Sequence, residues 1–161
     1  KNFYDKDGQK AFKGKIDIDF IKKYKNDLYF KLKYPKSLDR NYFHKYTSDL
    51  KNIKNIDAIS TASKMTVESI ILGLKILNKK INNIIITGGG RKNKFIINNL
   101  KKYYNKRKIK IILIDKLKIN GDFIESQTFA YLAVRTIKKL PLSLPTTTGV
   151  KKPTSGGEIF E

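Results

Sequence analysis

The segment that most restricts this chain is Ile84-Ile85-Ile86-Thr87, which runs directly into Gly88-Gly89-Gly90 and then, from Lys92 to about Tyr104, into apolar residues at helical spacing. A short β-branched run bounded by glycine suits a strand buried on both faces. A second apolar run, Ile109 to Ile114, ends at Asp115. Residues 83–114 therefore read as strand, glycine turn, helix and strand, with the strands parallel and the crossover right-handed. Such a unit belongs to α/β folds, whose open sheets bind ligands beyond the carboxyl ends of their strands.

The flanking sequence supplies helices. From Asp57 to about Lys80, Ala58, Ile59, Ala62, Met65, Val67, Ile70, Ile71, Leu74 and Leu77 recur at helical spacing and predict the longest helix. Gly73 inside it would cost up to about 1 kcal/mol against alanine, which predicts close packing against a neighbouring element. Upstream, Asp17 is a candidate N-cap for a short helix carrying Ile18, Ile21 and Tyr24. Tyr34-Pro35 breaks the pattern, and Ser37 is the expected cap of a turn through Asn41-Tyr42-Phe43. Downstream, Gly121-Asp122 opens another helix, with Asp122 as cap and Phe123, Ile124, Thr128, Phe129, Leu132, Ala133 and Ile137 as its apolar stripe. It should end near Lys139. The tail holds three of the four prolines and reads as a loop with a final short strand at Glu158-Ile159-Phe160. No internal repeat or linker divides the chain, so residues 1–161 are expected to be one domain.

Charge narrows the chemistry. Against 14 acidic residues stand 35 lysines and arginines, giving a net charge of +21. That balance fits a polyanion partner. Only Arg40, Arg91, Arg107 and Arg135 are arginines, however, whereas specific phosphate and base recognition favours the planar guanidinium. Lysine together with abundant Ile, Asn, Tyr and Phe matches AT-rich coding, and Lys22-Lys23, Lys101-Lys102 and Lys138-Lys139 fall on polar helix faces or helix ends. Zero cysteines exclude a thiolate zinc site and a cysteine nucleophile, and one histidine, His44, leaves little for an imidazole metal cluster. No apolar run approaches the roughly 20 residues of a membrane span, and the first residues do not read as a signal peptide. A soluble, cytoplasmic chain is the expectation.

Two places can carry chemistry. Glycines between a strand and a helix let backbone N–H groups approach an anion, and the helix dipole favours that anion, although a tight turn alone would use the same residues. The spacing is neither a P-loop nor GxGxxG. At the start of the later helix stand Asp122, most simply an N-cap, and Glu125, which is either its capping-box partner or a functional acid.

Taken together, several segments resemble the anhydro-N-acetylmuramic acid kinases of the actin-like ATPase and sugar kinase superfamily. Tyr4-Asp5-Lys6-Asp7-Gly8 resembles that family's Tyr-Asp-Lys/Arg-Asp-Gly, and Asp27-Leu28-Tyr29-Phe30 its Asp-Pro-Tyr-Phe. Pro35-Lys36-Ser37 with Arg40 and Phe43 is similar to its Pro-Lys-Ser segment. Thr87-Gly88-Gly89-Gly90 with Asn93 matches its glycine-rich adenosine segment, and Gly121-Asp122-x-x-Glu125 with Phe129-Ala130-x-Leu132-Ala133 its Gly-Asp-x-x-Glu segment. Thr148-Gly149 and Gly156-Gly157 resemble its tail.

The resemblance implies the carboxyl-terminal part of an actin-like, ribonuclease H-like ATPase lobe, with two parallel central strands, flanking helices and an incomplete sheet. It implies ATP-dependent opening of the 1,6-anhydro ring with phosphorylation of O6, in cell-wall recycling, with ATP and Mg²⁺ as cofactors and a homodimer as a candidate assembly. Gly88, Gly89, Gly90 and Asn93 would serve the nucleotide, and Glu125 the sugar; Lys36, Ser37 and Arg40 take no assigned role. The family's catalytic aspartate lies in an Asp-Thr-Gly-Pro-type segment upstream of Tyr4 and has no counterpart here, so this chain is expected to need an amino-terminal lobe and to be inactive alone. Leu38, Asp39 and Asn41 depart from the family's Thr, Gly and Glu. The competing readings are a basic nucleic-acid-binding module and a non-catalytic actin-like domain.

Overall fold

The computed structural model describes residues 4–77 and 79–160 and is an α/β structure built on two parallel strands. Strand β1 (Asn83–Ile86) pairs with β2 (Lys110–Leu113) so that Ile84 lies opposite Ile111 and Ile85 opposite Ile112. The helix between them, Lys94–Asn105, is part of a series of α-helices: α1 (Ile18–Lys25), α2 (His44–Leu50), α3 (Asn55–Ile76), α4 (Lys94–Asn105), α5 (Ile124–Ile137) and α6 (Pro145–Thr148). An open two-stranded parallel sheet with flanking helices is consistent with part of an actin-like ATPase lobe.

Alternation along the strands decides where the core forms. Ile84, Ile86 and Ile111 point to the side on which α3 and α4 bring Val67, Ile71, Leu100 and Tyr104 together. Ile85, the residue between, is 52% exposed. The expectation that β1 is covered on both faces is thus corrected: among the described residues, helices cover one face.

A second core lies upstream, where Phe20, Ile21, Tyr24, Phe30, Tyr46 and Met65 meet. Its aromatic rings touch mostly edge to face, as between Tyr24 and Tyr46 at 4.8 Å. Helix α3 joins the two cores, giving Met65 to one and Val67 and Ile71 to the other. Asp17 does cap α1, accepting from Phe20 N at 2.8 Å. The buried stripe runs through Phe20, Ile21 and Tyr24, however, and Ile18 faces solvent.

Other local expectations are corrected as well. Asp39, not Ser37, caps the turn at Arg40–Phe43, its carboxylate accepting from Asn41 N at 2.7 Å. Gly73 is exposed, and a Cβ there would meet nothing, so it marks no close packing. Helix α3 ends at Ile76, short of Lys80. Helix α5 buries no residue: Phe129 and Ile137 of its expected stripe are 64% and 66% exposed. The tail forms α6 and a single antiparallel bridge between Ser143 and Thr154, with no strand at Glu158-Ile159-Phe160.

Candidate functional site

The carboxyl end of β1 turns sharply at Gly88, whose φ of 70° is a conformation glycine adopts without steric cost. A 3-10 turn over Gly89–Lys92 follows, and Asn93 caps α4 by accepting from Ile96 N at 3.1 Å. Asparagine at that position satisfies one of the free amides of the first helical turn. Cβ atoms added to Gly88, Gly89 or Gly90 would meet nothing within 4 Å, so this turn borders open space.

That space is bounded on its other side by the first described residues. Asp5 holds its own segment in place, accepting from Lys10 N at 2.7 Å and Ala11 N at 3.0 Å. A 3-10 turn at Lys6–Gly8 then brings Gly8 against α4. Gly8 has φ of 76°, and a Cβ on it would overlap Asn93 Oδ1 and the Phe95 amide. Between this segment and Gly89, Gly90 and Lys92 lies a cleft of about 570 Å³. A neighbouring cleft of about 600 Å³ reaches Arg91, Leu113 and Asp115, and Asp7 and Lys92 line both. Both openings lie at the carboxyl ends of the strands, where parallel sheets bind their ligands.

Arg91 joins this turn to the end of β2 and to the entry of α5. Its side chain is only 4% exposed. Nε donates to Asp115 Oδ2 at 2.7 Å and Nη2 to Asp115 Oδ1 at 3.1 Å, while Nη1 donates to Gly88 O at 3.0 Å and to Asp122 Oδ1 at 2.9 Å. Lys92 Nζ adds a bond to Asp122 Oδ2 at 2.8 Å. The Arg91 guanidinium, and then the Lys92 ammonium, hold the Asp122 carboxyl down at about 2. Arg91 likewise lowers Asp115. The expectation that Asp122 caps α5 is corrected: α5 starts at Ile124 without a side-chain cap, because both Asp122 oxygens are engaged by cations from the glycine turn.

Of the residues singled out from sequence, Gly89, Gly90 and Asn93 line the first cleft, and Gly88 begins the turn that carries them. Glu125 lies in the first turn of α5, exposed, three residues beyond the ion-paired Asp122. The structure thus brings the glycine turn and the start of α5 together through Arg91. Sequence reasoning missed Arg91 and Asp115; an arginine in a lysine-rich chain, right after three glycines, and a carboxylate at a strand's end were the available signals.

Elsewhere, Asp27 is buried and saturated with donors. Its carboxylate accepts from the hydroxyls of Tyr42, at 2.6 Å, and Tyr46, from Tyr29 N at 2.8 Å, and pairs with Lys45 at 2.7 Å. Burial pushes its pKa up, but these bonds outweigh burial and hold it well below the carboxylate range. Lys36 donates to Tyr29 O at 2.7 Å over the Tyr29 ring, and burial lowers its pKa. Both side chains are engaged within the upstream part of the fold. His44 is exposed, no three metal-binding side chains gather among the described residues, and no described helix is long and apolar enough to cross a membrane.

The family model described as "Anhydro-N-acetylmuramic acid kinase" matches residues 1–161, the whole chain. Proteins of that name from Brucella anthropi, Zymomonas mobilis and Roseobacter denitrificans are 36%, 35% and 33% identical over 155, 156 and 156 residues. The alignments cover 96–97% of this chain, yet the chain spans only about 40% of the length of these curated relatives.

Proposed function

Since the chain belongs to the anhydro-N-acetylmuramic acid kinase family, we propose that it supplies the nucleotide-binding cleft and part of the sugar site of an ATP-dependent kinase. The enzyme would open 1,6-anhydro-N-acetylmuramic acid with water and phosphorylate O6. The observation that carries the reading is the cleft of about 570 Å³ between Tyr4–Asp7 and the bare glycine turn at the carboxyl end of β1.

The residues fit the cofactor. Glycines without Cβ atoms at Gly89 and Gly90 leave the backbone open to a ribose or phosphate, and Lys92, bonded to Asp122, lines the cleft beside them with donors to spare. Bound ATP supplies the phosphoryl group. Mg²⁺ would be carried largely by the substrate phosphates and its own waters. Gly88, Gly89, Gly90 and Asn93 would hold and shape the nucleotide side, Asn93 by fixing the first turn of α4. Glu125, exposed in the first turn of α5, would accept hydrogen bonds from hydroxyl or amide groups of the sugar and orient its anomeric carbon. The base that activates water is assigned to none of these residues; we place it in an amino-terminal lobe.

The test uses the protein at its full encoded length, with the anhydro sugar, Mg²⁺ and ATP in ¹⁸O-water and products read by mass spectrometry. One heavy oxygen at the anomeric carbon of a phosphorylated sugar is the expected result. Absence of product, with nucleic-acid affinity falling by orders of magnitude between about 50 and 200 mM salt, would favour the basic binding module instead.

A further inference from the structure

We propose that Arg91 is a positioning residue: it latches the glycine turn after β1 to the start of α5 and thereby sets where Glu125 stands relative to bound nucleotide. The latch joins three pieces of chain. One guanidinium bonds the Gly88 carbonyl at the end of β1, both oxygens of Asp115 just past β2, and Asp122 before α5. Its planar fork fixes the angles between them as well as the distances, which a lysine ammonium does not.

At its other end α5 is tied to the tail, Arg135 Nε donating to Pro141 O at 2.7 Å and Thr136 Oγ1 to Gly156 O at 3.1 Å; at its start the latch is the side-chain tie. The helix buries no side chain, and its N-terminus carries no side-chain cap. Its entry is instead moulded to the latch, since a Cβ on Gly121 would overlap the Arg91 guanidinium and Ile114. Glu125 lies three residues beyond Asp122, in the first turn of α5, so a shift of the latch moves Glu125 with it. Removing Arg91 leaves two carboxylates that are 47% and 50% exposed, hence solvated rather than buried without a partner. Variants at Arg91 should therefore fold.

The kinetic part of the proposal rests on the kinase reading above; the structural part does not. Arg91→Lys, Arg91→Ala and Asp122→Asn are compared with wild type at full encoded length, by steady-state kinetics and by amide hydrogen exchange. Expected is a rise of tenfold or more in KM for the anhydro sugar in both Arg91 variants, with KM for ATP within twofold. Exchange should quicken across residues 121–130 and stay unchanged within α4. A residue that only stabilised the fold would lower kcat through loss of folded protein and leave both KM values in place. Sugar KM within twofold of wild type in Arg91→Ala, or sugar and ATP KM rising together, overturns the proposal. Should wild type convert no sugar, the kinase reading falls, and exchange alone decides the latch: quickening confined to residues 121–130 upholds it, and unchanged exchange there overturns it.

Discussion

At the scale of single residues, carboxylates in this protein are committed to partners distant in sequence, and pH reveals it. Asp122 is held at about 2, against roughly 3.9 for an unperturbed aspartate, and Asp115 is lowered too. A folded pKa below the unfolded one means that the unfolded chain binds protons first as pH falls. The stabilisation from Asp122 is complete above about pH 4 and disappears as pH drops through 2. Asp27, held lower still, loses its contribution over the same descent and beyond it. Denaturant titrations from pH 6 to pH 2 should show stability declining below about 4, and Asp122→Asn should flatten part of that decline. Asp27→Ala leaves the Tyr42 and Tyr46 hydroxyls without their acceptor, while half-exposed Lys45 returns to water, and should cost about 2 kcal/mol in chemical denaturation. A cap at Asp17 was legible in the sequence because capping is local. The pairing of Asp122 was not, because its partner Arg91 lies 31 residues earlier.

Helices and strands obey the periodicities of the sequence, but their burial depends on what comes to cover them. Leu100 is fully buried between α4, α3 and the sheet, so Leu100→Ala should lose about 2–5 kcal/mol in urea unfolding. Gly73 behaves oppositely. It sits inside α3 with open space where its Cβ would be, so Gly73→Ala should raise stability by up to about 1 kcal/mol, seen as a higher urea midpoint at unchanged slope. Glycine within a helix reads equally well as close packing or as an uncorrected cost; only the position of the neighbouring elements tells them apart. The same holds for β1. An all-isoleucine run specifies a strand, yet does not say how many of its faces are covered, and Ile85 remains half exposed.

For the whole molecule, two cores share α3, while Phe123 at the entry of α5 and Phe129, Val134 and Ile137 along it face solvent. Apolar area of that kind is an interaction surface or an association hazard. With the catalytic base assigned to none of its residues, the 161-residue chain by itself should give no phosphorylated sugar in the ¹⁸O assay. Turnover by the purified chain, free of host enzyme, would refute that assignment.

Local pattern alone carried the strand, turn, helix and strand order around Gly88–Gly90, the parallel pairing that follows from a helical crossover, the capped start of α1 and the family. Each depends on short spacings, on backbone chemistry at single residues, or on short segments in a fixed order. Which faces are covered and which charges meet came from the packed chain: the single helix layer on β1, the exposed face of α5, and the Arg91 bonds that join Gly88, Asp115 and Asp122. Burial and ion pairing are properties of approach between distant segments, and no local pattern encodes the distance at which those segments come to rest.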